Sequence, residues 1–177
     1  MSKHARLTKL SFAALALAMT AAAGSAVAAQ ATATSTSTVV TPISITAPVN
    51  LSFGSFAPGA TGGTVTLTPG GARTAGGGVT LAGGTAGAAR FDVSGSASLT
   101  YSIVFSGAAT LSDGSNTMAF TRISDTSASA ITSGDVATGT LSSGGAQSIF
   151  VGGVLTVSAN QPAGTYAGSV TATVEYN

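Results

Sequence analysis

Beyond the first 29 residues, the side chains best suited to chemistry are five carboxylates: Asp92, Asp113, Asp125, Asp135 and Glu175. Two of them at close range could hydrolyse a glycoside, one carboxyl acting as acid and the other as base or nucleophile. Asp113 and Asp125 are the pair that a cleft would have to join. Asp113 also stands in the run DGSN, which hints at calcium, but the spacing of an EF-hand loop and its closing Glu are absent. The five acids are scattered, and several adjoin Gly or Ser as ordinary turn residues do. No His, Cys or Lys follows residue 29. That removes the usual nucleophile–base pairs, Schiff-base chemistry and the common zinc sites. No G-x-S-x-G elbow and no P-loop occurs, and the glycine runs lack the strand–loop–helix setting that holds phosphate. They read as turns or flexible loops. The expectation is a protein that is not an enzyme and has no metal site and no cofactor. Asn50-Leu51-Ser52 matches a glycosylation sequon, a pattern too short to decide anything.

The elements that must position these residues begin after a leader. Lys3, His4, Arg6 and Lys9 precede an apolar run, LSFAALALAM at residues 10–19, and then the small residues AAAGSAVAAQ. This is the pattern of a secretory signal peptide at residues 1–29, with cleavage after Ala28 or Ala29. The run is too short for a membrane span, so no stable span is expected after cleavage. Export from a bacterium follows, to the periplasm, the cell surface or the medium. From residue 30 on, Arg73, Arg90 and Arg122 oppose the five acids, and three minus five gives a formal charge of −2. No basic patch remains, which argues against a nucleic-acid partner. Without Cys the fold has no disulfide staple. With 24 Gly and only 6% charged residues, the surface must be solvated by hydroxyls and backbone rather than by charge.

Residues 30–38, QATATSTST, have no strong apolar face and read as a flexible extension. The domain proper is placed at 39–177. Val39, Ile43, Ile45, Ala47, Val49, Leu51 and Phe53 then alternate with mostly polar residues or proline, which marks one or two extended segments. Pro42 and Pro48 suit edge positions. Short strand-like runs follow between glycine-rich stretches: TVTLTP, VTLAGG, RFDVSG, SLTYSIVFSG, TLSDGSNTMAFTRI, DVATGTLS, QSIFVGGVLTVSA and GTYAGSVTATVEYN. In the last run Tyr166, Gly168, Val170, Ala172, Val174 and Tyr176 share one face. No amphipathic helical period interrupts the series, so the fold is expected to be all-β, a sandwich or barrel. Asp113-Gly114 with Ser115-Asn116 predicts a hairpin turn. Tyr166 reads either as a tyrosine corner, its hydroxyl bonding back to upstream backbone, or as a plain core aromatic.

Several of these runs carry a resemblance. LSFGSFAPG (51–59), LTYSIVFSG (99–107), LSDGSNTMAFTRI (111–123) and AGTYAGSVTATVEYN (163–177) resemble, in order, the strands of spore coat protein U-like domains and archaic chaperone–usher pilins. The chain is most similar to the exported bacterial family called domain of unknown function 4402, which shares the TPI-x-I opening and the VGG-x-L-T-V strand (Val151 to Val157 here). The resemblance spans residues 39–177. The cysteines of coat-U domains are missing, and Gly168 replaces the Asp of their closing strand.

The resemblance implies an Ig-like β-sandwich, incomplete and completed by a donor strand. It implies a fimbria- or pilus-like subunit that polymerises by donor-strand exchange, with a periplasmic chaperone and an usher as partners. Val170, Ala172, Val174 and Tyr176 would line the acceptor groove. The donor would come from residues 30–45, with Val39, Ile43 and Ile45 as its plugs. One alternative stays open. Residues 39–47 can instead pair within their own sandwich. The protein would then be a self-contained secreted binding module, adhesin-like, for a glycan or a protein.

Overall fold

The computed structural model describes residues 27–177, so the segment read as a signal peptide lies outside the described residues up to position 26. Residues 27–38 carry no helix or strand and are exposed. Val39–Asn177 form a separate compact unit, which contains every strand. In chain order these are β1 (Ser44–Val49), β2 (Ser52–Phe53), β3 (Phe56–Leu67), β4 (Arg73–Leu81), β5 (Ala86–Gly87) and β6 (Ala89–Ser94). They continue with β7 (Thr100–Gly107), β8 (Thr110–Ser112), β9 (Thr117–Asp125), β10 (Thr138–Thr140), β11 (Ala146–Val157) and β12 (Val170–Tyr176).

The chain is all-β, and β11 is its spine. β9 runs antiparallel along one edge of it, from Phe150↔Asp125 to Thr156↔Ala119. The other edge is shared: β6 pairs with Ala146–Val151 and β3 takes over at Gly153–Val157. β1 extends the β6 side and β4 the β3 side, while β8 follows β9. A second sheet has the order β10-β7-β12, and β2 pairs with β5.

One face of β11 builds both cores. Ile149 and Val151 pack with Phe91 and Val93 of β6 against Tyr101, Ile103 and Ala172 of the small sheet. Leu155 and Val157 pack with Val65, Leu67, Val79, Met118 and Phe120, beside Phe53. The large sheet therefore curls, and it is an incomplete half-barrel. The three-stranded sheet covers its first half. Over its second half lie the short β2–β5 pair, the segment around Tyr166 and Val170 at the start of β12.

Two glycine-rich stretches depart from the sequence reading. APGATGG and most of GGARTAGGG are not free turns but parts of β3 and β4, paired from Phe56↔Leu81 to Leu67↔Arg73 with an irregularity between Pro58 and Gly63. Their backbones lie too close for side chains. A Cβ on Gly63 would overlap the Gly76 carbonyl, and one on Gly78 the Thr61 carbonyl. Here glycine permits close approach within a sheet.

Candidate functional site

Between the two sheets runs an apolar groove of about 860 Å³. One wall is the stretch from Ala47 to Pro58, and the other is the loop Gln161–Ser169 leading into Val170. Its floor is core: Phe91, Leu111, Met118, Phe120 and Leu155. The groove exists because two edge strands flank it and do not pair with each other. β1 is the outermost strand of its sheet, and β12 pairs with β7 on one side only. Among the described residues nothing pairs with the other edge of β12. Ala47 and Val49 are exposed beside this gap, Val49 at 42%.

The first wall is held by Arg73. Its Nη1 donates to the carbonyls of Phe53 (2.6 Å) and Ser55 (3.3 Å), and its Nη2 donates to Gly83 (3.2 Å). Three carbonyls on two loops are thus gathered onto one planar cation, which a guanidinium can do and an ammonium cannot. Gly54 lies directly beneath it at φ 65°, and a Cβ there would strike the guanidinium. This gives a physical reason for the glycine in LSFGSF. Sequence reasoning gave Arg73 no role. The only available signal was that a nearly uncharged chain places an arginine inside a glycine run.

The second wall is held by Gln161 and Tyr166. The Gln161 amide donates to the Thr117 carbonyl (3.2 Å) and to the Tyr166 hydroxyl (2.9 Å), and that hydroxyl donates to the Pro162 carbonyl (2.9 Å). Ala167 and Ser112 exchange backbone hydrogen bonds of 2.9 Å. Tyr166 therefore belongs to the groove wall, and the last strand starts at Val170 rather than at Tyr166. Gly164 rests on the Asp113 turn, in which the carboxylate accepts from the backbone of Asn116 (2.6 Å) and Ser115 (2.9 Å) and from the Asn116 amide (3.0 Å).

The Asn116 backbone N–H, then its side chain and the Ser115 N–H, draw the Asp113 carboxyl down to about 2. A folded value below the unfolded one contributes stability that is fully present above about pH 4 and lost as pH falls through about 2. Asp113→Asn is expected to flatten the acid limb of the unfolding profile between pH 4 and 2. Thermal unfolding of both proteins across that range checks this, and parallel curves would refute it.

Beyond the groove, at the other end of β12, Tyr176 closes a clasp. Its hydroxyl accepts from the Ser96 N–H (2.6 Å) and donates to the Thr41 carbonyl (2.8 Å), while the Thr41 N–H donates to Ser96 Oγ (2.7 Å). Thr41 thus lies beside Tyr176, and Val49 lies near Val170. β1 and β12 run past each other in opposite directions across the gap.

The other residues singled out in the sequence are placed as follows. Ala172 is buried, and Val170, Val174 and Tyr176 are half-buried on the inner face of β12, against the core. Ile43 and Ile45 are half-buried against that same core, and Ile45 is opposite Val93 in the domain's own sheet. Val39 is 93% exposed. Asp113 and Asp125 flank β9 at opposite ends, roughly 30 Å apart along a nine-residue strand, so they form no close carboxylate pair. Asp92 pairs with Arg90, and Asp135 with Arg122, whose guanidinium also lies over the Phe105 ring at 4.5 Å. Among the described residues no three His, Cys, Asp or Glu gather to hold a metal ion, and no helix is long and apolar enough to cross a membrane.

No curated protein and no solved structure matches the chain. The model of one family, Domain of unknown function (DUF4402), matches residues 43–176, which takes in every strand and both walls of the groove. The chain belongs to the DUF4402 family.

Proposed function

We propose that this protein is an exported structural subunit, without enzymatic activity, whose groove accepts a β-strand from a second copy of the chain. In this reading the two sheets are an incomplete Ig-like sandwich. The observation that carries it is the pair of unsatisfied strand edges, β1 and β12, on either side of an apolar floor. Unpaired edges are costly and are normally covered or charged. Here only Glu175 charges β12, and β1 carries no charged residue. The donor is the segment before Thr41, because the structure keeps Ile43 and Ile45 in their own sheet. Val39 is its largest plug, with Ala31, Ala33, Ser35 and Ser37 in step along the same face. With side chains this small, main-chain pairing along β12 supplies most of the attraction, at roughly 1 kcal/mol net per hydrogen bond. Before assembly the same edges need a cover, a role suited to a periplasmic chaperone, with an usher ordering the exchange.

Protein purified from its native envelope should give a ladder on an unheated SDS gel and filaments by negative stain. Deleting residues 30–40 should abolish both. A full-length monomer with no filaments would overturn the proposal. It would favour a second reading, supported by the pairing of β1 with β6: a self-contained adhesin-like module whose groove takes a glycan or peptide.

A further inference from the structure

From Gln30 to Ala72 the chain carries no charged residue. Within that stretch residues 27–42 are exposed, and 27–38 form no helix or strand. Six of the eight residues from Thr34 to Thr41 are β-branched, with no Pro and no Gly among them. An uncharged, β-prone segment left open in this way is an aggregation hazard. Chains ordinarily blunt such segments with a charge or a proline, and here neither occurs before Pro42. What the segment does have is hydroxyl groups: six of the seven residues 32–38 are Ser or Thr.

These hydroxyls are ordered. Thr32, Thr34, Thr36 and Thr38 fill the even positions, while Ala31, Ala33, Ser35, Ser37 and Val39 fill the odd ones. Successive side chains of an extended segment point to opposite sides. The threonines therefore form one face and the small residues the other. Threonines inside the domain, such as Thr64 opposite Thr156, have their backbone held in paired strands. Residues 32–38 have no such pairing among the described residues and can be drawn extended into an enzyme's cleft.

We propose that Thr32, Thr34, Thr36 and Thr38 are O-glycosylation sites, where neutral sugars protect the segment as charge does elsewhere. Ser/Thr-rich segments beside proline have the composition of glycosylated stalks, and a glycan is bulky and solubilising. Phosphate on the same hydroxyls would crowd like charges two residues apart, with no Arg or Lys between Gln30 and Arg73 to pair them. In the transfer, the Thr Oγ1 attacks the anomeric carbon of a sugar carried on the phosphate of a nucleotide or of a lipid. The Oγ1–carbon bond forms as the bond from that carbon to the phosphate oxygen breaks. The phosphate leaves with the electron pair, and the hydroxyl proton passes to a base of the transferase. Nothing is oxidised or reduced. The choice of the threonine face rests on the strand-donor reading, because sugars there leave the odd-numbered face bare for docking. The presence of sugar does not rest on it.

The test is the intact mass of the protein purified from its native envelope, with fragmentation that leaves side-chain groups attached. The chain should exceed its sequence mass by whole monosaccharide residues, placed on the four threonines. Thr32→Ala, Thr34→Ala, Thr36→Ala and Thr38→Ala together should remove the whole excess, whereas Ser35→Ala with Ser37→Ala should leave it unchanged. A copy without residues 2–29, which stays in the cytoplasm, tells the two sugar donors apart. Sugar on that copy marks a nucleotide-linked donor, and sugar on the exported copy alone marks a lipid-linked one. A chain at its sequence mass would overturn the proposal, and so would an excess made of phosphate. Sugar spread equally over Ser35 and Ser37 would overturn the assignment to one face. A glycosylated chain that gives no ladder on the unheated gel would remove the strand-donor reading while the sugars stand.

Discussion

Gly152→Ala is expected to leave little folded protein. Gly152 lies where β11 passes from β6 to β3, opposite Ile123 of β9. It is buried, and a Cβ there would overlap the Leu67 carbonyl oxygen and crowd Thr68. These obstacles are backbone, not the far end of a flexible side chain. Relief therefore requires β3 and β11 to separate, with loss of packing around Val65, Leu67 and Leu155. Overpacking ordinarily costs about 1–3 kcal/mol; with two strands forced apart the loss should reach at least about 3 kcal/mol, a large share of the 5–15 kcal/mol typical of a domain. Gly153→Ala meets the movable Phe120 ring as well as the Thr121 carbonyl, so its cost should be smaller and should appear as a changed groove floor. Urea unfolding of the two variants gives the comparison. A Gly152→Ala protein within about 0.5 kcal/mol of wild type would show that the handover between β6 and β3 is not tightly packed.

Arg73→Met should have the next largest effect, and it falls on the groove. The substitution keeps the apolar stem and removes the cation that holds the carbonyls of Phe53, Ser55 and Gly83. Hydrogen bonds to a charged group contribute about 1.5–3 kcal/mol each in favourable settings. Arg73 is only half-buried, and freed carbonyls can turn to water. A net loss of about 2–4 kcal/mol is therefore expected, or roughly 5–15 °C in melting temperature for a domain of this size. Arg73→Lys keeps the charge but presents a single point to three acceptors, so it should recover less than half of the loss. Hydrogen exchange should quicken in residues 52–58 and around Gly83, ahead of the spine strand. Uniform quickening across the domain would mean that Arg73 stabilises the fold generally and does not act as a strut for this wall.

Much of the fold was legible because alternation in this chain is seldom interrupted. RFDVSG, LTYSIVFSG and QSIFVGGVLTVSA correspond to β6, β7 and β11 within a few residues, and Asp113-Gly114 makes the expected turn. The glycine runs misled because a glycine in a turn and a glycine at a close backbone approach look alike in sequence. Only the partner strand distinguishes them. The start of the last strand was misplaced for a related reason. Tyr166 continues the alternation of Val170 and Val174, but its hydroxyl is tied to Gln161 and Pro162, which holds that stretch away from β7. The groove was legible only as an unpaired edge. Its other parts, Arg73 and Gln161, and the Thr41–Ser96–Tyr176 clasp beyond it, join positions far apart in the chain, and single-residue patterns do not reveal such meetings.

The spine strand also sets a schedule. If the chain emerges from its N-terminus during export, residues 63–67 and 89–94 are outside well before residues 146–157, the strand that both must pair with. Until β11 arrives, β3 and β6 have no common partner, and both cores lack the spine residues Ile149, Val151, Leu155 and Val157. Non-local pairing of this kind is slow, and strand edges exposed meanwhile invite association between nascent molecules. The period of greatest hazard therefore comes before the groove exists. A folding assistant acting at that time would recognise loose β-strands first and the unpaired edge of β12 only afterwards.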